Sequence, residues 1–117
     1  ILRHKNLQDY RNDLQISNDN PKIIIASHWT DIYDLSGQLA RIMGHGGAYK
    51  RIDPELSWIV ATDFVKDEFQ NRFEEFVTFD VAIEKSDWFF DIAWDISKIF
   101  FDKRNNELLF INITDTD

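Results

Sequence analysis

Residues 86–117 read SDWFFDIAWDISKIFFDKRNNELLFINITDTD, and this stretch predicts the core of a β-sheet. Apolar side chains occupy every second position over residues 88–96, and aromatic and β-branched residues dominate, which is typical of a strand. Residues 103–106 (KRNN) predict a hairpin turn, and residues 107–114 predict the returning strand. A helical spacing fits the first run as well, so a helical turn over residues 87–91 ahead of the strand stays open.

Two further strands are expected upstream. Phe79, Val81 and Ile83 alternate with polar or small residues, which indicates a strand over residues 79–84 with one face in water and a turn over 84–87. Residues 22–26 (KIIIA) form a short apolar run that predicts a buried strand. A run this short also fits a helix, and the pattern alone does not separate the two.

The first strong helix signal covers residues 31–43, where apolar residues recur at helical spacing. Ser27 or Thr30 is the expected N-cap, and Gly44 stands where a helix commonly ends on glycine. The glycine cluster Gly44-His45-Gly46-Gly47 follows this helix, so it predicts a turn rather than a phosphate-binding loop. A shorter helix is expected over residues 6–16.

The second strong signal is Asp53-Pro54-Glu55, in which Asp caps a helix and Pro takes its first position. Leu56, Ile59, Val60 and Phe64 follow at helical spacing, so a helix is expected over residues 54–70. Asn71 can end it in the left-handed conformation, while an extension to residue 76 fits the same spacing.

These elements predict an α+β fold, in which two to three helices pack on a mainly antiparallel sheet formed by the C-terminal third. A chain of 117 residues is long enough for one core without disulfides. No internal repeat or linker interrupts it, so residues 1–117 are expected to form a single globular domain.

The composition narrows the function classes. The chain has no cysteine, which excludes disulfides, thiolate zinc sites and cysteine nucleophiles. The first residues carry no apolar signal segment, and no apolar run reaches membrane-spanning length. A cytoplasmic protein without membrane contact is therefore expected.

The charge is distributed unevenly along the chain. The net charge is −8. Residues 1–58 hold seven basic and seven acidic residues, whereas residues 59–117 hold six basic and fourteen acidic ones, so the second half carries the whole excess. This disfavours nucleic acid as a partner, because phosphate contacts need a basic surface. A basic protein is the partner that such a field attracts.

The acidic residues of the second half are regularly spaced, and strand or helical geometry alike would gather those of residues 87–95 on one face. That face is either a solvated cover for an aromatic-rich sheet or a docking surface for a basic partner. The residues expected to contact the partner are Asp80, Glu84, Asp87, Asp91 and Asp95, with Asp115 and Asp117 from the C-terminal segment.

Catalytic and metal-binding motifs are absent from the sequence. His28 and His45 lie on different predicted elements without zinc-site spacing, and no G-x-S-x-G motif surrounds a serine. No catalytic residue, metal or cofactor is therefore predicted. Four tryptophans are interpreted as core side chains, with the provision that one exposed beside acids becomes a binding hot-spot candidate. They are Trp29, Trp58, Trp88 and Trp94.

The leading functional hypothesis is a non-enzymatic domain that docks on a basic protein and blocks it. Small size, the lack of cysteine and one strongly acidic half resemble the profile of intracellular immunity proteins that neutralise bacterial toxins, often nucleases. One alternative is a small enzyme or ligand-binding domain with a cleft near His28 and His45. Another is a structural subunit of a larger assembly, and a homodimer is compatible with each.

Overall fold

The structure is a computed structural model that describes residues 23–24, 29–46, 51–83 and 95–114. It confirms the predicted α+β class, with helices packed on an antiparallel sheet from the C-terminal part. The elements of the described residues, in chain order, are β1 (Ile23–Ile24), β2 (Trp29–Thr30), α1 (Leu35–His45), α2 (Pro54–Phe69), β3 (Phe76–Asp80), β4 (Ala82–Ile83), β5 (Ile96–Asp102) and β6 (Glu107–Ile113). The predicted helix over residues 6–16 and the predicted features over residues 84–94 lie outside the described residues.

Among the described residues, the main sheet has four antiparallel strands in the order β2-β3-β5-β6. The predicted hairpin is confirmed: β5 and β6 pair from Ile96↔Ile113 to Asp102↔Glu107, and residues 103–106 form the turn. Asn106 has a φ of 55°, a left-handed conformation that Asn tolerates better than most residues. The turn chemistry read from the sequence therefore sets the register of the hairpin.

The strand predicted over residues 79–84 begins earlier and changes partners at Val81. β3 starts at Phe76 and pairs with β2 and β5, whereas β4 pairs with β1. Val81 N still donates to Ser97 O at 2.9 Å, so the ladder to β5 continues through the break. The strand predicted over residues 22–26 is confirmed at Ile23–Ile24, which pairs with β4.

Helix α1 is present as predicted, but both of its predicted ends are wrong. Thr30 belongs to β2 and therefore does not cap the helix. The Asp31 side chain accepts a hydrogen bond from Tyr33 N at 3.0 Å in the segment that follows, and the helix starts only at Leu35. At the other end Gly44 stays inside the helix, and Gly46 ends it with a φ of 69°. The glycine in the left-handed region is therefore the second of the cluster.

Helix α2 begins as predicted. The Asp53 side chain accepts hydrogen bonds from Glu55 N at 3.0 Å and Leu56 N at 3.1 Å, and Pro54 takes the first helical position. Its end is confirmed as well, because Gln70 and Asn71 both have positive φ, at 49° and 62°. The alternative of a helix continuing to residue 76 is wrong: a 3₁₀ turn covers Phe73–Glu75 and β3 follows.

The core lies between the two helices and one face of the sheet. Phe69 of α2 and Phe100 of β5 are both 0% exposed, and their ring centroids lie 5.1 Å apart. Phe76 meets Phe69 edge-on at 4.9 Å. Full burial of one such side chain contributes about 1.5–3 kcal/mol, so this aromatic cluster anchors α2 to the sheet.

Small residues mediate the contact between α1 and α2. The buried positions of α2 recur every fourth residue, at Ser57, Ala61, Val65 and Phe69. A Cβ placed on Gly44 of α1 would lie 3.6 Å from Ser57 Oγ, which shows how closely the two helices approach there. The large apolar residues of the first two turns of α2 are consequently turned away from the core.

Candidate partner-binding surface

The seven acidic residues predicted to contact a partner fall into two groups. Five lie outside the described residues, and their role stays a prediction: Glu84, Asp87, Asp91, Asp115 and Asp117. Asp80 ends β3, Asp95 directly precedes β5, and both are partly buried.

Asp80 is engaged inside the protein. It lies directly opposite Lys98 on the β3–β5 ladder, and its Oδ1 accepts a hydrogen bond from Lys98 Nζ. The Lys98 side chain is only 5% exposed, whereas that of Asp80 is 38% exposed. A buried ammonium is stable only when paired, so the Asp80 carboxylate serves first to neutralise Lys98.

A second ion pair lies beyond Phe100 on the same face of β5. Arg72, which follows the left-handed end of α2, donates to both carboxylate oxygens of Asp102, at 3.1 Å and 2.7 Å. Its guanidinium also lies 5.0 Å from the centroid of the Phe76 ring and bonds Glu75 at 3.1 Å. This planar, two-point geometry is the strong form of an arginine–carboxylate pair.

Asp102 also organises the hairpin turn. Its carboxylate accepts from the backbone N–H groups of Arg104 at 2.9 Å and Asn105 at 3.1 Å, and from Asn105 Nδ2 at 2.9 Å. The hydrogen bonds from Arg72 hold the pKa of the Asp102 carboxyl well below its usual range, although burial acts in the opposite direction. The role of this network is structural, because each partner fixes one element to another.

An acidic groove opens beside this network, between the C-terminal end of α2 and the β5–β6 hairpin. Its volume is about 320 Å³. Asp67, Glu68 and Glu107 line it and are exposed, and no described residue forms an ion pair with them. Among the described residues, Arg72 is the one cation that lines it, and Arg72 is already bound to Asp102. The groove therefore presents net negative charge to an incoming group.

A smaller cavity of about 150 Å³ lies at the other side of the 3₁₀ turn. Thr30 and Thr78, cross-strand partners of β2 and β3, line it together with Tyr33. Tyr33 OH donates to Glu74 Oε1 at 3.1 Å, and this bond raises the pKa of Tyr33. Among the described residues that line them, neither this cavity nor the acidic groove includes a histidine.

The alternative site near the histidines gains no geometric support from the described residues. His45 is exposed at the last turn of α1 and lines neither cavity, and His28 lies outside the described residues. Within the described part of the chain, no three His, Asp or Glu side chains are grouped to hold a metal ion. Neither of the described helices has both the length and the apolar character to cross a membrane.

The first two turns of α2 expose a cluster of large apolar side chains. Leu56 is 51% exposed, Trp58 57%, Ile59 48% and Val60 46%. The interpretation of Trp58 as a core residue is therefore wrong. Its i−3 neighbour Glu55 is also exposed, so Trp58 meets the provision for an exposed tryptophan beside an acid.

Sequence reasoning missed this surface because apolar residues at helical spacing usually face the core. A usable signal was present: Ser57 and Ala61 stand four residues apart, followed at the same interval by Val65 and Phe69. That second row is also helical, and its two small members permit the close approach that α1 makes. Two helical rows of α2 could therefore have faced α1, and the row that begins with the small residues Ser57 and Ala61 does so in place of the row of larger apolar residues.

Comparisons of the chain with protein-family models, with curated proteins and with solved structures find no match.

Proposed function

We propose that this chain is a non-enzymatic binding domain that docks on a basic protein and blocks it, as an immunity protein blocks a toxin. The observation that carries the proposal is the contrast between paired and unpaired carboxylates. Asp80, Asp102 and Glu75 are bound to cations of the same chain. Other exposed carboxylates have no ion-pair partner among the described residues: Asp31, Asp34, Asp53, Glu55, Asp63, Asp67, Glu68, Glu74 and Glu107.

The unpaired carboxylates are concentrated on α2 and beside it. Helix α2 carries four acidic residues and a single basic one, Lys66. An uncompensated field of one sign raises the rate at which an oppositely charged protein associates, by about 10- to 1000-fold. It also makes the binding weaken as salt screens the charges. A basic partner is thus supported by where the charge lies as well as by its total.

The test is affinity capture from an extract of the native host, followed by measurement of Kd for the captured protein at rising ionic strength. We expect a protein of basic isoelectric point whose own activity falls on binding, and a Kd that weakens several-fold or more between about 50 mM and 500 mM salt. An acidic partner, or a Kd that does not change with salt, would contradict the proposal.

A charge-reversal series locates the electrostatic contact. Asp91→Lys tests the face expected from the sequence, and Asp63→Lys tests the exposed side of α2. At least one of the two should slow association, since a field of matching sign at the contact repels the partner. Asp34→Lys, at the N-cap position of α1, is the control with the same change of charge. Equal rates for all three variants would argue against electrostatic docking.

A further inference from the structure

We propose that the start of α2 is the surface on which the partner docks, and that the partner offers it an apolar centre surrounded by Lys or Arg. This surface, called here the α2 surface, has Leu56, Ile59 and Val60 at its centre, together with the carboxylates of Glu55, Asp63 and Asp67. Trp58 stands two residues from Leu56 and from Val60, so it lies at the edge of the surface, next to Ile59. The inference rests on the proposed function and specifies where and with what chemistry the partner binds.

The apolar side chains of the α2 surface are unusually exposed for the helix of a folded domain. Four large apolar side chains within five residues are each between 46% and 57% exposed. The outward face of a helix on a globular domain is normally polar, and contiguous apolar patches commonly mark protein interaction sites. Contact with a partner would remove this apolar area from water, which favours binding. The α2 surface therefore has apolar area that the folded chain leaves in water and that a partner could bury.

Carboxylates lie at both ends of the apolar centre of the α2 surface. Leu56, Ile59, Val60 and Asp63 follow the i, i+3, i+4, i+7 spacing, and Asp67 stands one turn farther along the same face. Glu55 lies at the other end of the patch. Acids at both ends of an apolar centre are complementary to a partner with apolar side chains between cations.

The backbone of α2 is held in place at both ends. The Asp53 cap holds the first turn of α2, while Phe69 at 0% exposure fixes its far end in the core. The exposed tryptophan thus projects from a backbone that is already ordered, which lowers the entropic cost of binding. Tryptophan is also enriched among binding hot spots, so Trp58 is expected to anchor the partner at the edge of the surface, beside Ile59.

The same charges disfavour a second copy of this chain as the occupant. In an antiparallel two-fold pairing across the apolar centre, Asp63 and Asp67 of one copy would approach Asp53 and Glu55 of the other. In a parallel pairing each carboxylate would approach its own equivalent. Lys66 is the only base on the helix, so either arrangement places like charges together.

The direct test uses peptide probes and the full ¹⁵N-labelled chain in solution. The first probe is an amphipathic helical peptide with leucines on one face and lysines beside them. Two matched peptides replace either every lysine by glutamate or every leucine by serine. We expect the leucine–lysine peptide to shift the Trp58 indole and the amides of residues 55–67, and to bind about tenfold or more tighter than both matched peptides.

Variants keep the test specific to the α2 surface. Trp58→Ala should weaken binding of the leucine–lysine peptide about tenfold or more, and Asp63→Lys should weaken it further. Tyr33→Ala is the matched control, because Tyr33 is a comparably exposed aromatic at 62%, outside α2. Urea midpoints of all three variants show that each is folded.

Three results would overturn the inference. The leucine–glutamate peptide could bind as tightly as the leucine–lysine peptide, the shifts could lie wholly outside residues 55–67, or the free chain could dimerise through α2 as its concentration rises. Failure of the proposed function has a different signature. If a captured basic partner binds Trp58→Ala as it binds wild type but loses affinity for Asp91→Lys, the function stands and the α2 surface is not the contact.

Discussion

The start of α2 exposes large apolar side chains, whereas the side of β5 that faces the helices buries charged ones. Both regions depart from the usual distribution of side chains in a globular protein. On α2, Leu56 and Trp58 are about half exposed, whereas on β5 the charged residues Lys98 and Asp102 are 4% and 6% exposed. Each buried charge has a partner within the chain, Asp80 for Lys98 and Arg72 for Asp102. The comparison shows that the two buried charges of β5 are tolerated because each is paired inside the chain, whereas the apolar cluster at the start of α2 stays exposed.

The largest effect should come from the aromatic centre that joins the C-terminal end of α2 to β5. Phe100→Ala removes a side chain that is 0% exposed and touches Phe69, so we expect a loss of about 3–5 kcal/mol in the free energy of unfolding. Urea unfolding followed by circular dichroism measures it. Phe101→Ala, on the neighbouring and 40% exposed position, is the control and should cost clearly less. Equal losses would show that the sheet buries both faces alike.

The next largest effect is expected at Asp102. Asp102→Asn removes the charge that pairs with Arg72 and weakens the acceptor of the hairpin-turn hydrogen bonds, so the urea midpoint at pH 7 should fall. Because the folded state lowers the pKa of this carboxyl below its ordinary value of 3.8, its stabilisation is complete above that value and is lost as the pH falls below it.

The midpoint difference between wild type and Asp102→Asn should therefore be smaller at pH 3 than at pH 7. Asp34→Asn provides the control, since the Asp34 side chain forms no capping hydrogen bond. A difference that stays constant over this pH range would mean that the carboxylate charge contributes nothing to folding.

A third effect, of intermediate size, tests the other buried charge. Lys98→Met keeps the side-chain length but leaves Asp80 without its cation, and because Asp80 is 38% exposed, water compensates in part. We expect a loss of about 1–2 kcal/mol. The double variant Asp80→Asn with Lys98→Met should recover part of it, since it removes both charges. If the double variant is less stable than the sum of the single changes predicts, the pair is not the unit that matters.

A fourth, smaller effect tests what holds the exposed start of α2. Asp53→Ala removes the side chain that accepts from Glu55 N and Leu56 N, and should cost about 1 kcal/mol. Asp53→Asn, which keeps an acceptor oxygen, should cost less than Asp53→Ala. Identical losses would assign the effect to charge rather than to the cap.

The smallest effect should come from the α2 surface itself. Leu56→Gln and Ile59→Gln keep helix propensity and change exposed positions, so each should alter the free energy of unfolding by about 0.5 kcal/mol or less. Val65→Gln, on the buried side of the same helix at 6% exposure, should be far more destabilising. A loss of several kcal/mol at Leu56 or Ile59 would show that these side chains stabilise the folded chain itself.

Local chemistry made much of the fold predictable. The start of α2 at Asp53-Pro54, the left-handed Asn71 just beyond its end, and the KRNN hairpin turn were predictable, because each depends on a few neighbouring residues. The predicted start of α1 was wrong because Thr30 belongs to a strand, where it pairs with Thr78, a residue distant in sequence. The change of partner at Val81 also depends on pairing between distant strands, which no local pattern encodes.

The candidate surface was only partly predictable for the same reason. The charge excess of the second half is a property of the sequence, and it correctly indicates that acids outnumber bases there. Which acids remain unpaired depends on where the cations lie: Lys98 reaches Asp80, while no described cation reaches Asp63 or Asp67. The exposure of Trp58 likewise follows from the choice of Ser57 and Ala61 as the interface with α1.

The alternation of charges around Phe100 has a consequence for misfolded states. Lys98 and Asp102 flank Phe100 at two residues on either side, and their counter-charges come from separate elements, β3 and the segment after α2. If β5 slipped by one residue, both pairs would break at once and Phe100 would leave the core. The two ion pairs therefore discriminate between registers, so that a strand rich in phenylalanine and isoleucine has one acceptable alignment among several that hydrophobicity alone would permit.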